Sequence, residues 1–499
     1  MSGPPSPRND DARATREVEE SVEGIGDPEA SPGNPTSTLA VGARPEPTAD
    51  PSLSGTSREI VRLAFPVMMS MALASLVGIV DIAMVGRLGS VAQAAVGVAQ
   101  QLFFVAQSAL FALSFAGVAL MARAIGAGDP EGSRRAMAAS ILVSIGIAVG
   151  LFVFVGLDPT YLLAWLEGED AVVQLGVPYM RLVMGSAILT SIALMIESGL
   201  RADKDTITPM IVTAVLTVVK ISLNFVFMFG WPIGPEWGVT GAGVSTLVAQ
   251  TAAVVIFIAI TRSKHADAPT ALRARDFRGL GPLFAPLLRI AAPSIFERLI
   301  MNFAMILYFK LIGGYGTAAI AAYTIGIRIL AFSWIPGTGY SQAVATLVGQ
   351  SLGAGDVARA ERSGWSAARL ALGTAVVMGA LGATFRHPLA AAFTVDPETV
   401  VALGPFMLCL SLAQPAMQLH FTLAGAFRGA GDTVTPLWSA VVGNWGFRVP
   451  LAALVSFLDG PLTGLWIVLI FDHVSRAVWM LVGFRRGTWR ERGNRAAAA

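Results

Sequence analysis

The sequence predicts an all-α polytopic membrane protein with twelve transmembrane helices. They form two six-helix bundles related by a parallel repeat, a pseudo-twofold axis along the membrane normal. Three observations predict this. Of 499 residues, 54% are hydrophobic and 14% charged, where soluble domains carry about 25% charged residues. Apolar stretches of about 20 residues, the length that crosses a bilayer, recur from Arg58 onward. Several motifs return at one constant spacing.

Residues 1–56 are rich in Pro, Gly, Ser, Asp and Glu and contain no aromatic residue. Such a segment cannot bury enough apolar surface to offset its ordering entropy. It has no apolar core of the signal-peptide kind. It reads as a disordered cytoplasmic tail.

The apolar spans fall at 60–85, 94–121, 136–156, 172–196, 208–229, 239–261, 287–312, 318–347, 365–385, 399–426, 436–457 and 462–484. A polar break from Thr261 to about Gly281 divides them. The expected domains are a first lobe at 57–283 with its inner linker, a second lobe at 284–485, and a cytoplasmic C-terminal tail at 486–499.

Basic residues set the orientation. With the N-terminus inside, the inner loops hold Arg123, Arg134, Arg135, Arg201, Lys204, Arg359, Arg362 and Arg428. The central break and the C-terminal tail add more, whereas the outer loops hold Arg87 and Arg386. This is the positive-inside pattern, and it places both termini in the cytoplasm of a cell bounded by the inner (plasma) membrane. A net charge of +2 gives no electrostatic case for nucleic acid, and the single Cys409 excludes an intramolecular disulfide or a cysteine metal cluster.

The repeat is explicit. Gly126-Ala127-Gly128-Asp129 returns as Gly353-Ala354-Gly355-Asp356, and 356 − 129 = 227. Arg201 with Asp205-Thr206-Ile207-Thr208-Pro209 returns as Arg428 with Asp432-Thr433-Val434-Thr435-Pro436, where 436 − 209 is again 227. An offset covering six spans is even, so both halves enter the membrane from one side. Gly permits a tight turn in these loops, while Asp and Thr cap the following helix and Pro suits its first turn. They read as loop architecture. No Gly-Lys-Ser/Thr follows that would make a phosphate-binding loop.

A carboxylate at mid-helix costs roughly 2.5–3.5 kcal/mol on insertion scales, which marks it as a functional candidate. Asp81 is the only acid in the first span. Ser70, Ala74, Val77 and Asp81 share one stripe of small or polar side chains, the face expected to line a cavity. A carboxylate there can take up a proton, or a sodium ion, on one side and release it on the other. Lys220 and Asn224 stand one turn apart in the fifth span; the lysine is free to pair with Asp81 or Glu197, or to snorkel inward without a partner. Glu297 and Arg298 follow Pro293 in the seventh span and point in different directions. Asp472, His473 and Arg476 form a polar cluster in the twelfth, read as a helix-to-helix network. Gln100, Gln101, Gln250, Asn302, Gln342 and Asn444 are candidate polar contacts, and 18 Met with 26 Phe supply adaptable apolar surface.

Several of these residues carry a family resemblance. Pro66, Asp81 fifteen residues later and Val85-Gly86-Arg87-Leu88-Gly89 resemble the first helix of MATE (multidrug and toxic compound extrusion) transporters, of the MOP flippase superfamily. The Gly-Ala-Gly-Asp turn, Leu200-Arg201…Asp205-Thr206…Pro209 and Phe427-Arg428-Gly429-Ala430-Gly431-Asp432-Thr433 resemble its inner loops. Lys220…Leu223-Asn224 and Arg448-Val449-Pro450-Leu451 resemble its fifth and eleventh helices. The resemblance covers about residues 57–485. It implies efflux of organic, cationic or amphipathic compounds by proton or sodium antiport with alternating access, in a monomer that is not an enzyme and holds no cofactor beyond the coupling ion. Residues and resemblance together make Asp81 and Glu297 the candidates for ion coupling, Asn224, Lys220, Gln250 and Asn302 for substrate or cavity contacts, and Pro66 and Pro293 for conformational roles. No bound metal is expected unless sodium sits at Asp81. One branch of the family has a second acid four residues after the asparagine, where this chain has Met228. Sodium-coupled members carry an acid in the tenth helix, and none stands between Thr399 and Gly431. A lipid-linked oligosaccharide flippase of the same superfamily is the rival reading, with Lys220, Arg298, Arg328 and Arg448 available for a basic cavity. An intramembrane enzyme or a pore fits the residues less well.

Overall fold

A computed structural model describes residues 53–490 apart from Gly168 and Val395, together with Met1 and Gly3. Most of the expected N-terminal tail and the end of the C-terminal tail lie outside the described residues. The first lobe contains α1 (Leu53–Gly86), α2 (Ser90–Gly126), α3 (Pro130–Gly156), the short α4 (Thr160–Glu167), α5 (Asp170–Ala202), α6 (Ile207–Phe229) and α7 (Gly238–Ser263). The second contains α8 (Gly281–Gly313), α9 (Thr317–Gly353), α10 (Val357–Thr384), the short α11 (Arg386–Phe393), α12 (Pro397–Gly429), α13 (Val434–Phe457) and α14 (Leu462–Arg486).

Each of the twelve long helices contains one predicted span; only the ninth overruns, by Phe385. Eleven are apolar enough along their length to cross a bilayer. The twelfth, α8, has 33 residues but carries Arg289, Glu297, Arg298 and Lys310, of which Glu297 joins it to Arg428 of its own lobe. Helix α1 starts at Leu53, inside the stretch read as tail.

The two short helices were not expected. Eight residues are too few to show a periodic pattern. Leu163 in α4 and Ala390 in α11 are both fully buried, and 390 − 163 = 227, so they belong to the repeat. Tyr161 and Trp165 of α4 are exposed, as amphipathic aromatics are at a membrane interface.

The repeated motifs do two jobs. Asp129 caps α3 by accepting from the Gly132 amide at 2.7 Å, and Asp356 caps α10 by accepting from the Arg359 amide at 2.8 Å. Asp205 and Asp432 accept likewise from the Thr208 and Thr435 amides. The second glycine of each motif, Gly128 or Gly355, turns the chain at a φ of 73° or 75°. The first does not make the turn. A side chain on Gly126 would collide with the Gln350 carbonyl, and one on Gly353 with the Arg123 carbonyl. These two glycines let the lobes touch backbone to backbone.

Other contacts bind the lobes at this same end. Arg123 donates to the Ala430 carbonyl at 2.8 Å, Gln350 to the Ala202 carbonyl at 2.7 Å and Thr346 to the Arg201 carbonyl at 3.1 Å. Glu59 accepts from Lys204 of its own lobe at 2.6 Å and from Arg359 of the other at 3.4 Å. Deeper in, Thr338 lies against Met71, and the Arg428 guanidinium stacks 4.7 Å from the centre of the Phe115 ring. Beyond these, toward the opposite end, no hydrogen bond, ion pair or ring contact joins the lobes among the described residues. A cleft opens there. The linker after α7 is folded against the first lobe: Arg134 pairs with buried Asp276 at 3.5 Å, and Arg135 donates to the Gly279 carbonyl at 2.8 Å. Nearby, burial holds the Asp203 carboxyl above its ordinary range, an effect that Lys264 only partly offsets.

Candidate functional site

In the first lobe, α1 and α6 bring three predicted residues together. The Lys220 ammonium donates to one carboxylate oxygen of Asp81, and the Asn224 amide donates to the other at 2.6 Å. Lys220 and Asn224 are neighbours on one helix face because they are four residues apart. Asn224 is fully buried, whereas the side chains of Asp81 and Lys220 retain 15% and 17% exposure. The Asn224 carbonyl oxygen is buried without a hydrogen-bond donor. Met228 is buried within the same apolar cluster as Met84 and Val85. Asp81 is therefore the one carboxylate of this trio.

Lys220 does not reach Glu197, which pairs with Arg201 one turn away. The α1 stripe is less uniform than expected. Ser70 is buried with its hydroxyl donating to the Pro66 carbonyl at 3.0 Å, so it is not offered to a ligand, while Ala74 is exposed. Pro66 and Pro293 both lie within continuous helices.

The remaining predicted residues lie elsewhere. Glu297 and Arg298 do not pair with each other. Both oxygens of Glu297 accept from Arg428, at 2.7 and 2.9 Å. The Asn302 amide nitrogen is buried without an acceptor, and no hydrogen bond ties Gln250 or Asn302 to the Asp81 trio.

Asp472 is completely buried and held by two guanidinium groups: Arg448 on one oxygen and Arg476, at 2.7 Å, on the other. His473 meets His420, with ring nitrogens 3.1 Å apart. Sequence reasoning found Asp472, His473 and Arg476 but missed Arg448 and His420 as their partners, and Arg428 as the partner of Glu297. The only available signal was that each is an isolated polar side chain in an apolar helix. Gly443 is needed beside this cluster, since any side chain there would strike Arg476 and Asp472.

A cavity of about 410 Å³ lies in the cleft between the lobes. Gln93, Gln100, Gln101 and Phe104 of α2 line it from one side, with Ile82 and Val85 of α1, and Arg328 of α9 from the other. Gln100 and Gln101, two of the candidate polar contacts, line this cavity. Asn444 is instead fully buried and donates to the Ala440 carbonyl of its own helix at 2.9 Å.

Among the described residues, twelve membrane-length helices in two repeated lobes, a cleft between them and a partly buried charge beside it define a polytopic membrane transporter. The chain belongs to the MatE family, whose model matches residues 66–226 and 293–454. It is similar to the “Probable multidrug resistance protein NorM” of Thermotoga maritima, with 29% identity over 87% of this chain and 93% of the relative. It is 24% identical to the “Uncharacterized transporter YisQ” of Bacillus subtilis over 86% of this chain and 94% of that one. Its fold matches a MOP superfamily transporter from Pyrococcus furiosus, with a TM-score of 0.80 and 22% identity over 89% of this chain and 97% of that one. It also matches the Vibrio cholerae MATE transporter VcmN in its bent form, with a TM-score of 0.81 and 20% identity over 89% and 99% of the two chains.

Proposed function

We propose that this protein is a secondary active exporter that moves amphipathic organic compounds out of the cell in exchange for protons, its cleft opening alternately to each side. The relatives named for multidrug resistance support the efflux part. The observation that carries the coupling part is the Asp81 carboxylate, held between one ammonium and one amide beside the cleft.

The geometry favours a proton over sodium. A sodium ion at Asp81 would sit next to the Lys220 ammonium, and two like charges at contact distance repel strongly outside bulk water. A proton meets no such obstacle. It neutralises the carboxylate, turns one oxygen from acceptor to donor and frees Lys220. The unused Asn224 carbonyl oxygen can receive that new donor after rotation of the amide, whose oxygen and nitrogen are interchangeable in shape. Glu297 is engaged on both oxygens by Arg428 and serves the second lobe as an anchor.

The basic residues cluster at the end where the lobes touch, so by the positive-inside bias this is the cytoplasmic end and the described arrangement faces outward. The protein works as a monomer in the inner membrane, each chain holding a complete cleft, and needs no cofactor. The test is dye efflux from liposomes containing the purified protein, under a proton gradient alone and a sodium gradient alone. Efflux driven by protons is expected; efflux driven by sodium alone would contradict the assignment.

A further inference from the structure

The cleft cavity holds one charged side chain, and it is a cation. Arg328 is exposed in its lining, and among the described residues it forms no ion pair or hydrogen bond. Its position is not incidental to the repeat. Since 328 − 227 = 101, Arg328 is the counterpart of Gln101, and both line the same cavity. Repeat-related residues that meet in one cavity lie beside the axis that relates the lobes.

No carboxylate lines this cavity. Asp81 is next in sequence to Ile82, which does, but its charge is answered by Lys220 within the first lobe. The second lobe's carboxylates are likewise answered locally, Glu297 by Arg428 and Asp472 by Arg448 and Arg476. A cationic compound entering here finds a guanidinium and no counter-charge. A carboxylate, sulfonate or phosphate finds a planar donor suited to it, the Gln100 and Gln101 side-chain amides nearby, and Phe104 for an apolar body.

We propose that the cleft carries amphipathic organic anions, with Arg328 as the group that receives the negative charge. This rests on the exporter reading above. It has an electrical consequence: one proton moving in while one univalent anion moves out transfers two positive charges inward, so an inside-negative potential drives the cycle. Exchange of a proton for a univalent cation would be electroneutral.

The test uses the full chain in liposomes with two aromatic probes, the anion carboxyfluorescein and the cation ethidium, with and without a potassium diffusion potential. Wild type is expected to transport carboxyfluorescein in preference to ethidium, faster with the inside negative. Arg328→Gln is expected to raise the half-saturating concentration of carboxyfluorescein about tenfold, equivalent to about 1.4 kcal/mol, with Arg328→Lys intermediate. Gln101→Glu, on the opposite lobe, places a carboxylate in the cavity that Arg328 lines and is expected to do the same without altering the arginine. Transport of ethidium but not carboxyfluorescein, or unchanged carboxyfluorescein kinetics in both Arg328→Gln and Gln101→Glu, would overturn the anion assignment and leave the exporter reading standing. Transport of neither probe would overturn both.

Discussion

Lys220 and Arg448 occupy equivalent places in the two lobes, yet the carboxylates they hold come from different helices. Lys220 stands eleven residues after Pro209, and Arg448 twelve after Pro436; a π-helical stretch at Val442–Arg448 absorbs the extra residue. Lys220 holds Asp81 of α1, whereas Arg448 holds Asp472 of α14. At the place equivalent to Asp81 the second lobe has Tyr308, whose hydroxyl donates to the Leu465 carbonyl at 2.6 Å and whose ring lies 5.7 Å from the Arg448 guanidinium. One lobe keeps a partly accessible acid with a single cationic partner. The other buries its acid between two.

For the first lobe, losing one member of the pair strands the other. Lys220→Met is expected to lower the melting temperature in detergent, since stripping a buried charge of its partner costs about 3 kcal/mol or more. The double variant Asp81→Asn with Lys220→Met removes both charges and is expected to recover most of that loss. A double variant no more stable than Lys220→Met would show that the pair does not hold α1 to α6.

Asp472 calls for the opposite pattern of effects. Asp472→Asn leaves two guanidinium groups facing each other in a dry interior and is expected to destabilise the protein by about 3–5 kcal/mol, read as a lower melting temperature. The pH dependence of efflux by the folded fraction is expected to stay as in wild type. A shifted pH profile would make Asp472 part of the proton path.

The glycine contact at the motif end gives a conformational prediction. Gly126→Val is expected to prevent the lobes from meeting there, because the added carbons would occupy the space of the Gln350 carbonyl. Spin labels placed at Glu131 and Ala358, both exposed, report the separation, and the one native thiol, Cys409, is buried and does not compete for label. The distance distribution should move to longer values in the variant. An unchanged distribution would mean that the close approach is not what brings the lobes together.

Much of the architecture was legible because it is one-dimensional. Spans, caps and the 227-residue repeat are properties of order along the chain, and they reappear in α1 to α14 with shifts of a few residues. What the sequence hid depends on rotation about helix axes. Nothing along the chain says that Glu297 faces Arg428 or that His473 faces His420, since each pair is separated by dozens of residues. The motif glycines illustrate the same limit: the left-handed turn at Gly128 follows from local preference, but the role of Gly126 appears only when the other lobe is in place. The short α4 and α11 fell below the length at which periodicity speaks. Of the candidate site, Asp81, Lys220 and Asn224 were legible as a rare acid, base and amide at matching depth. Arg328 was visible only as one basic residue among several.

Asp81 is the seat of proton coupling in the proposed cycle. The most direct measurement is efflux of a dye against its own concentration gradient by Asp81→Asn in liposomes with an imposed proton gradient, with exchange at equal concentrations recorded in the same preparation. Uphill efflux is predicted to vanish while exchange persists. Uphill efflux at the wild-type rate would contradict it.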